Sequence, residues 1–549
     1  MALGSLHRRD APPAGPRRRP LLLAGLLLVG LAVALVIAAV ALALTRWSEP
    51  SLSPDATALA RVHLPLLAGK VDHVTAFAPD GQRIALAVHN GRLTPLTKIT
   101  PGELVSIDVV VRRPALLRWA LGSFRDEHLT VRAPLARVTK PWLTLSSGAV
   151  LRVAFDQSVS AVAVGAPGHL APQSLHGTPR TLALGTRPPS GTIDLAAAAR
   201  PWEQLGAPQV ITWFPRSSSP VMLASPAPSG SLLPTAPIRL VFSRPVTDVL
   251  GSALPRLSPA TTGSWHETDS HTLVFTPSGT GFPLAAEVRV EFPRAIAVTE
   301  PSATTPQTTA AIAWSIAPGT TLRLQQLLAE QGYLPVDWSP AAAPVAHTAQ
   351  AQTQAAIDPP SGSFAWRYQN TPSELKSLWH AGGASVITRG AVMMLEHDHD
   401  LAVDGIAGPQ VWHTLLGAAI AGTQSGTGYD YVYVHEDVPE SLTLWSDGRV
   451  ILHSPGNTGI PESPTKVGTF AVFEHIPVGT MSGTNPDGSH YHDPGIRYIS
   501  YFNGGDAIHE FPRASYGTPQ SLGCVELPLA AAAKVWPYTP IGTLVTIEK

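Results

Sequence analysis

The period of the hydrophobic positions changes several times along the chain, and each change marks out a region. Leu21 to Leu44 is one unbroken apolar run, long enough to cross a bilayer as a helix. Arg8, Arg9, Arg17, Arg18 and Arg19 precede it, so residues 1–20 are expected to stay in the cytoplasm and 21–45 to form a single transmembrane anchor. A cleaved signal peptide is the rival reading, because small residues stand near Thr45, but the run exceeds a usual signal core. Residues 46–60 carry Ser, Pro and Asp without periodicity and read as a tether. From there to about Pro318, segments such as Leu104 to Val111, Val150 to Phe155, Ile238 to Phe242, Thr272 to Thr276 and Ala286 to Phe292 alternate or run apolar between Pro and Gly turns. That is strand spacing and predicts stacked β-sandwiches, at 61–138, 139–216 and 217–318.

Leu322, Leu324, Leu327 and Leu328 then fall at near-helical spacing, with Thr320 or Thr321 as cap and Gly332 as stop. A second helix is expected from Thr388, with Val392, Met393 and Leu395 on its apolar face. Between them an Ala/Gln/Pro-rich insertion, 339–362, reads as a flexible loop. A Gly/Ala/Ser/Thr-rich linker follows at 418–428. After it, Tyr431 to Val434, Leu442 to Trp445, Arg449 to Leu452, Thr469 to Phe473, Ile496 to Ser500 and Leu544 to Ile547 return to strand spacing, with Asp447-Gly448 as a hairpin turn.

Composition agrees with a multidomain, mainly β chain: 54 Pro, 46 Gly and only 14% charged residues favour short strands and turns over long helices. A net charge of −1 leaves no electrostatic footprint for nucleic acid. Cysteine usage changes the picture most, because Cys524 is the only one in 549 residues. A lone intracellular cysteine is most simply a small buried hydrophobe. Outside the cytoplasm an unpaired thiol reads instead as a reactive group.

Gly523 lets the chain turn tightly just before the sulfur, where backbone N–H groups can face a developing oxyanion. His509 lies fifteen residues upstream in the alternating segment Ala507 to Phe511, and a strand, loop and turn of that length can bring imidazole to thiol. Ser482 to Gly488 and Ser489 to Asp493 read as a long loop flanking the pair. His490 and His492 lack further ligands at metal spacing, and Asp398, Asp400, Asp404 and Gly405 lack the terminal carboxylate of a calcium loop. No metal or cofactor is expected.

His509, the run Ser521-Leu522-Gly523-Cys524 and the upstream segment Ser463 to Phe470 resemble the L,D-transpeptidase catalytic domain, also called YkuD, over residues 429–549. Two positions depart from the commonest form: Leu522 replaces a second His, and Glu526 stands where Arg or Asn is frequent. The resemblance implies Cys524 as nucleophile, His509 as its base, the backbone at Gly523 and Cys524 as oxyanion donor, and Ser521 as a brace for the turn. It places Arg497, Tyr498 and Tyr501 along the cleft. Glu526 is expected to meet substrate and repel a peptide carboxylate, and Glu510 is expected to raise the histidine pKa.

The implied reaction takes a peptidoglycan stem tetrapeptide, releases D-Ala and passes the acyl group to an amine, forming a 3→3 cross-link; with water as acceptor the enzyme is an L,D-carboxypeptidase. The competing reading is a non-catalytic wall-binding scaffold in which Leu522 and Glu526 mark a decayed site. An unrelated cysteine peptidase is disfavoured, since its Cys usually precedes its His. Residues 217–318 resemble bacterial Ig-like domains in the match of Arg239 to Ser243 with His271 to Pro277. Residues 319–417 resemble the small three-helix peptidoglycan-binding domain, in which Val403-Asp404-Gly405 and Gly408-Pro409 lead into a last helix carrying an inward Trp412. These resemblances imply a membrane-anchored wall enzyme with β spacers, a helical peptidoglycan-binding module and an extracytoplasmic catalytic domain.

Overall fold

The computed structural model describes residues 20–423 and 428–549. The basic cluster from Arg8 to Arg19 and part of the expected linker lie outside the described residues. The chain is multidomain and mainly β, with an N-terminal apolar helix, α1 (Pro20–Ser48). Its part from Leu28 to Ser48 has a mean hydropathy of 2.8 and is long and apolar enough to cross a membrane.

The chain divides into two compact units, which meet at Trp213 and Phe214. In the first, a four-stranded and a three-stranded sheet between Ser51 and Arg132 enclose one core that includes Leu93, Val105, Ile107 and Val109. A five-stranded sheet and a strand pair between Trp142 and Pro215 enclose a second, around Leu151, Val153, Leu195 and Ile211. Trp202 joins the two, since it belongs to the first core and its indole N–H donates to the Thr57 carbonyl at 3.2 Å.

The second unit begins with a larger mixed sheet around Trp314, Phe242 and Phe282. Its strands Ile238–Phe242 and Thr272–Pro277 pair antiparallel with Arg239 opposite Val274. A helical region follows: α2 (Thr321–Glu330), α3 (Ala349–Ile357), α4 (Val386–Asp398) and α5 (Pro409–Ala421). The Thr320 hydroxyl caps α2 by accepting from the Arg323 N–H at 3.2 Å. Trp412 is buried on α5, against Gly319, where a Cβ would collide with its ring.

Two expectations change here. The stretch 339–362 is not a loop throughout: Thr348 caps α3, whose Ala and Gln residues are good helix formers and whose Ala355 and Ala356 are buried. It is flanked by a hairpin, Val336–Pro340 with Gly362–Trp366. Helix α5 also runs on to Ala421, into the stretch read as linker, and ends at Gly422 with φ +66°.

The C-terminal domain has nine strands: β1 (Asp430–His435), β2 (Ser441–Ser446), β3 (Arg449–Pro455), β4 (Gly468–Ala471), β5 (Glu474–Thr484), β6 (His490–Asn503), β7 (Asp506–Glu510), β8 (Val525–Leu527) and β9 (Leu544–Glu548). They form sheets of order β3-β2-β1-β9-β4 and β5-β6-β7-β8, which close on a core of Val432, Leu444, Phe502, Ile508, Val525 and Val545. The expected loop after Ser482 is the end of a long β5–β6 hairpin, with Thr484 opposite His490.

The near-continuous apolar character of β1, β2 and β9 has a structural cause. Val432, Leu444 and Val545 face the catalytic core, while their neighbours Tyr431, Trp445 and Leu544 enter the core of the helical region. Both sheet faces are therefore buried, and each of those three side chains contributes about 1.5–3 kcal/mol. The contact is close: a Cβ on Gly390 of α4 would stand 2.6 Å from the Gly542 carbonyl oxygen. Hydrogen bonds tie the same seam, from the Trp445 indole to the Asn370 carbonyl (2.9 Å) and from the Tyr368 hydroxyl to Asp447 (2.6 Å).

Candidate active site

Strands β7 and β8 run parallel, with Ile508 opposite Val525 and His509 opposite Glu526. Parallel neighbours share a face, so Cys524, one residue before β8, falls on the face of Ala507 and His509. Ala507, Phe511 and Cys524 do pack in one apolar cluster with Ile499 and Tyr501, and the His509 ring lies 6.2 Å from that of Phe511.

The turn before Cys524 is closed by Ser521. Its hydroxyl donates to the Cys524 carbonyl at 2.6 Å and accepts from the Gly523 N–H at 3.2 Å. Gly523 has φ +119°, and a Cβ there would collide with the Asp506 carboxylate, so both the backbone and the space demand glycine. The loop is also held from outside: the Ser463 hydroxyl donates to the Leu522 carbonyl at 3.0 Å, and Ser521 donates its N–H to Thr458. The upstream segment that begins at Ser463 thus buttresses the loop before Cys524.

His509 is almost fully buried, and its Nδ1–H donates to the Glu510 carbonyl at 2.9 Å. A carbonyl can only accept, so this tautomer leaves the lone pair on Nε2. Burial pushes the histidine pKa below its ordinary value, against smaller upward pulls from the Glu510 carbonyl and from the charges of Glu526 and Glu510. Glu510 does pull it upward as expected, but desolvation outweighs that charge. Burial likewise pushes the Cys524 thiol up to about 12, and the Ala507 N–H only partly opposes this. The thiol donates to the Gly505 carbonyl at 3.6 Å. Burial therefore favours the neutral form of both the thiol and the imidazole.

Glu526 lies opposite His509, but its carboxylate is already engaged. It is buried, and Arg513 grips its two carboxylate oxygens at 2.7 and 2.8 Å. Its backbone exchanges two hydrogen bonds with Asn457. The charge expected to repel a substrate carboxylate is thus spent inside the domain. Tyr498 is also displaced from its expected place: with φ +59°, it packs on the main core and lies 6.0 Å from Trp536, while the sulfur's cluster takes Ile499 and Tyr501. Arg497 ion-pairs with Glu510 at 3.4 Å, next to His509. Tyr501 packs in the sulfur's cluster, and burial followed by the sulfur's charge raises its pKa.

Three residues that the sequence reading missed belong to this site. Tyr491 reaches the sulfur's surroundings from the β5–β6 hairpin, and its pKa is raised by burial and then by Cys524. Asp506 sits against Gly523, held by the Asn503 amide at 2.9 Å. Arg513 binds Glu526 and the Gln520 carbonyl and stacks over Phe511 at 4.6 Å. Asp506 had a signal, as the first residue of the segment carrying His509, and Tyr491 lay in the stretch expected to flank the pair; Arg513 had none. Among the described residues no cluster of three metal-ligating side chains occurs.

Residues 431–547 match the family profile of YkuD, the L,D-transpeptidase catalytic domain. Similar solved structures include an L,D-transpeptidase from Mycobacterium smegmatis, 13% identical over 59% of this chain and 97% of that one, with a TM-score of 0.21. L,D-transpeptidase 3 from Mycobacterium tuberculosis in complex with a faropenem-derived adduct is 12% identical over 59% and 97%, with a TM-score of 0.21. The catalytic domain of the E. faecium L,D-transpeptidase is 26% identical over 22% of this chain and 99% of that one, with a TM-score of 0.20. No curated protein matches the chain. The family match falls on the domain that holds the Ser-Leu-Gly-Cys turn and His509, so the chain carries an L,D-transpeptidase catalytic domain and is an enzyme of that kind.

Proposed function

We propose that the chain is a membrane-anchored wall enzyme that makes 3→3 cross-links between peptidoglycan stems, with Cys524 as nucleophile and His509 as base. The observation that carries this reading is Cys524 at a glycine-dependent turn inside a YkuD domain, on the same face as His509 of the neighbouring strand by register. The His509 Nε2 lone pair takes the thiol proton as sulfur attacks the carbonyl carbon of the stem's third residue. The oxyanion is received by the Cys524 N–H; the Gly523 N–H, expected to share that task, is committed to Ser521. Collapse of the tetrahedral species breaks the C–N bond, and His509 returns the proton to the departing D-Ala amine. An amine of a neighbouring stem then attacks the thioester, His509 takes its proton, and the thiol is restored.

Helix α1 serves as the anchor, the β domains as spacers, of which 217–318 is Ig-like, and the helical region as a peptidoglycan-binding module. The chain that follows α1 faces the wall. Incubation with a disaccharide-tetrapeptide tests this: free D-Ala together with a cross-linked dimer is expected. D-Ala with only the shortened monomer makes it an L,D-carboxypeptidase, and no D-Ala at all returns the scaffold reading.

A further inference from the structure

The helical region encloses a cavity of about 250 Å³ lined by both ends of the insertion, by α2 and by the end of α5. Its size is just under the ~300–1,000 Å³ of small-molecule sites. Much of its wall comes from the insertion, through Pro340, Pro344, Val345, His347, Gln352 and Pro360, with Trp338 just before it.

The polar side is built around a buried cation. Arg323 is 1% exposed, with its two terminal nitrogens donating to Gln326 (3.1 Å) and Gln352 (2.7 Å) and ion-paired to Glu330 at 3.6 Å, while its Nε has no partner. Glu330 remains a third exposed, so the pair is electrically balanced and one carboxylate edge stays open. The His347 Nδ1–H donates to the Ala419 carbonyl at 2.6 Å, which leaves Nε2 as a lone-pair acceptor in the cavity. The cavity thus offers acceptors, balanced charge and an aromatic wall, with Trp338 fixed from behind by Phe364 at 4.8 Å.

We propose that this cavity is a saccharide subsite that takes one neutral pyranose ring. Hydroxyl or amide hydrogens on the ring edge donate to Glu330 and His347, while the C–H face of the ring lies on Trp338 and the prolines. A simple anion finds too few free donors, because the Arg323 terminal nitrogens are already engaged. An alkylammonium competes with Arg323 for the single carboxylate. The subsite deepens the wall-binding reading of the helical region and rests on it.

The test is calorimetric titration of the full chain, in a detergent without a sugar headgroup, with N,N′-diacetylchitobiose and separately with Nα-acetyl-lysine amide. Saturable binding of the disaccharide is expected, at least tenfold weaker in Trp338→Ala and several-fold weaker in Glu330→Gln. The Gln variant keeps the side chain's shape and its acceptor for Arg323, so it reports on the site even where Trp338→Ala loosens the fold. Absence of disaccharide binding, equal binding in both variants, or preference for the lysine amide overturns the proposal. Acylation of Cys524 by a sugar-free stem peptide is measured on the same proteins and is expected to be unchanged. Its failure in the parent chain would tell against the transpeptidase reading, independently of the sugar result.

Discussion

Cys524 and Glu526 stand two residues apart at the start of β8, with His509 on the neighbouring β7 and Arg513 in the loop after it, yet their partners differ. The first pair has no full counter-charge within hydrogen-bond reach, so desolvation drives both members to their neutral forms. In the second a guanidinium fork meets both carboxylate oxygens. A neutral thiol and imidazole can pass a proton only when substrate arrives. A fixed ion pair two residues away can hold β8 and the following chain without taking part. The difference is made by partners, since the backbone setting is shared.

The comparison breaks most completely at Gly523→Ala, which adds a Cβ where φ is +119° and where the Asp506 carboxylate already stands. At least a hundredfold loss of thioester formation is expected, with the rest of the domain folded by circular dichroism. Next, Arg513→Ala leaves the Glu526 carboxylate buried without its partner. It should cost about 3 kcal/mol, the low end for a broken buried pair because Arg513 itself reaches solvent; Arg513→Lys should recover only part of this in denaturant unfolding, since it lacks the fork.

A pH series sharpens the other half. Iodoacetamide alkylation of Cys524 should stay slow between pH 7 and 9 and climb towards about 12. Substrate acylation needs the neutral imidazole, so it should fall only as pH drops through a His509 value below the usual ~6.5. Alkylation already fast at pH 7 would mean a resting thiolate–imidazolium pair. The smallest effect is expected outside the strands, at Gly390→Ala on α4. Its methyl presses on the Gly542 carbonyl, an overpacking of about 1–3 kcal/mol, visible as a lowered unfolding midpoint with little change in acylation.

What was legible in the sequence followed from short-range chemistry. The Ser-Leu-Gly-Cys turn, the His509 strand, the apolar helix and the mainly β character all rest on local period or on one residue's conformational demands. The opposite placement of Tyr498 and Tyr501 was legible but not used: three residues apart on a strand they alternate to different faces, and Tyr498 goes to the main core while Ile499 and Tyr501 go to the sulfur. The partner of Glu526 was not legible, because a charge thirteen residues away has no periodic signature. The insertion misled through composition: Ala, Gln and Pro read as flexible, yet a Thr348 cap and a buried alanine face make a helix of it. That β1 and β9 serve two cores was visible only as an excess of apolar residues whose second use needed the fold.

The most direct test of the central claim is intact-mass analysis of the full chain after mixing with a disaccharide-tetrapeptide, beside Cys524→Ala. With a single cysteine, a thioester can form at one place only. The account predicts an added mass equal to the donor less D-Ala, trapped by acid quench in the parent chain and absent from the variant. A folded parent chain with a titratable free thiol that gains no mass, or a variant that gains the same mass, would contradict it.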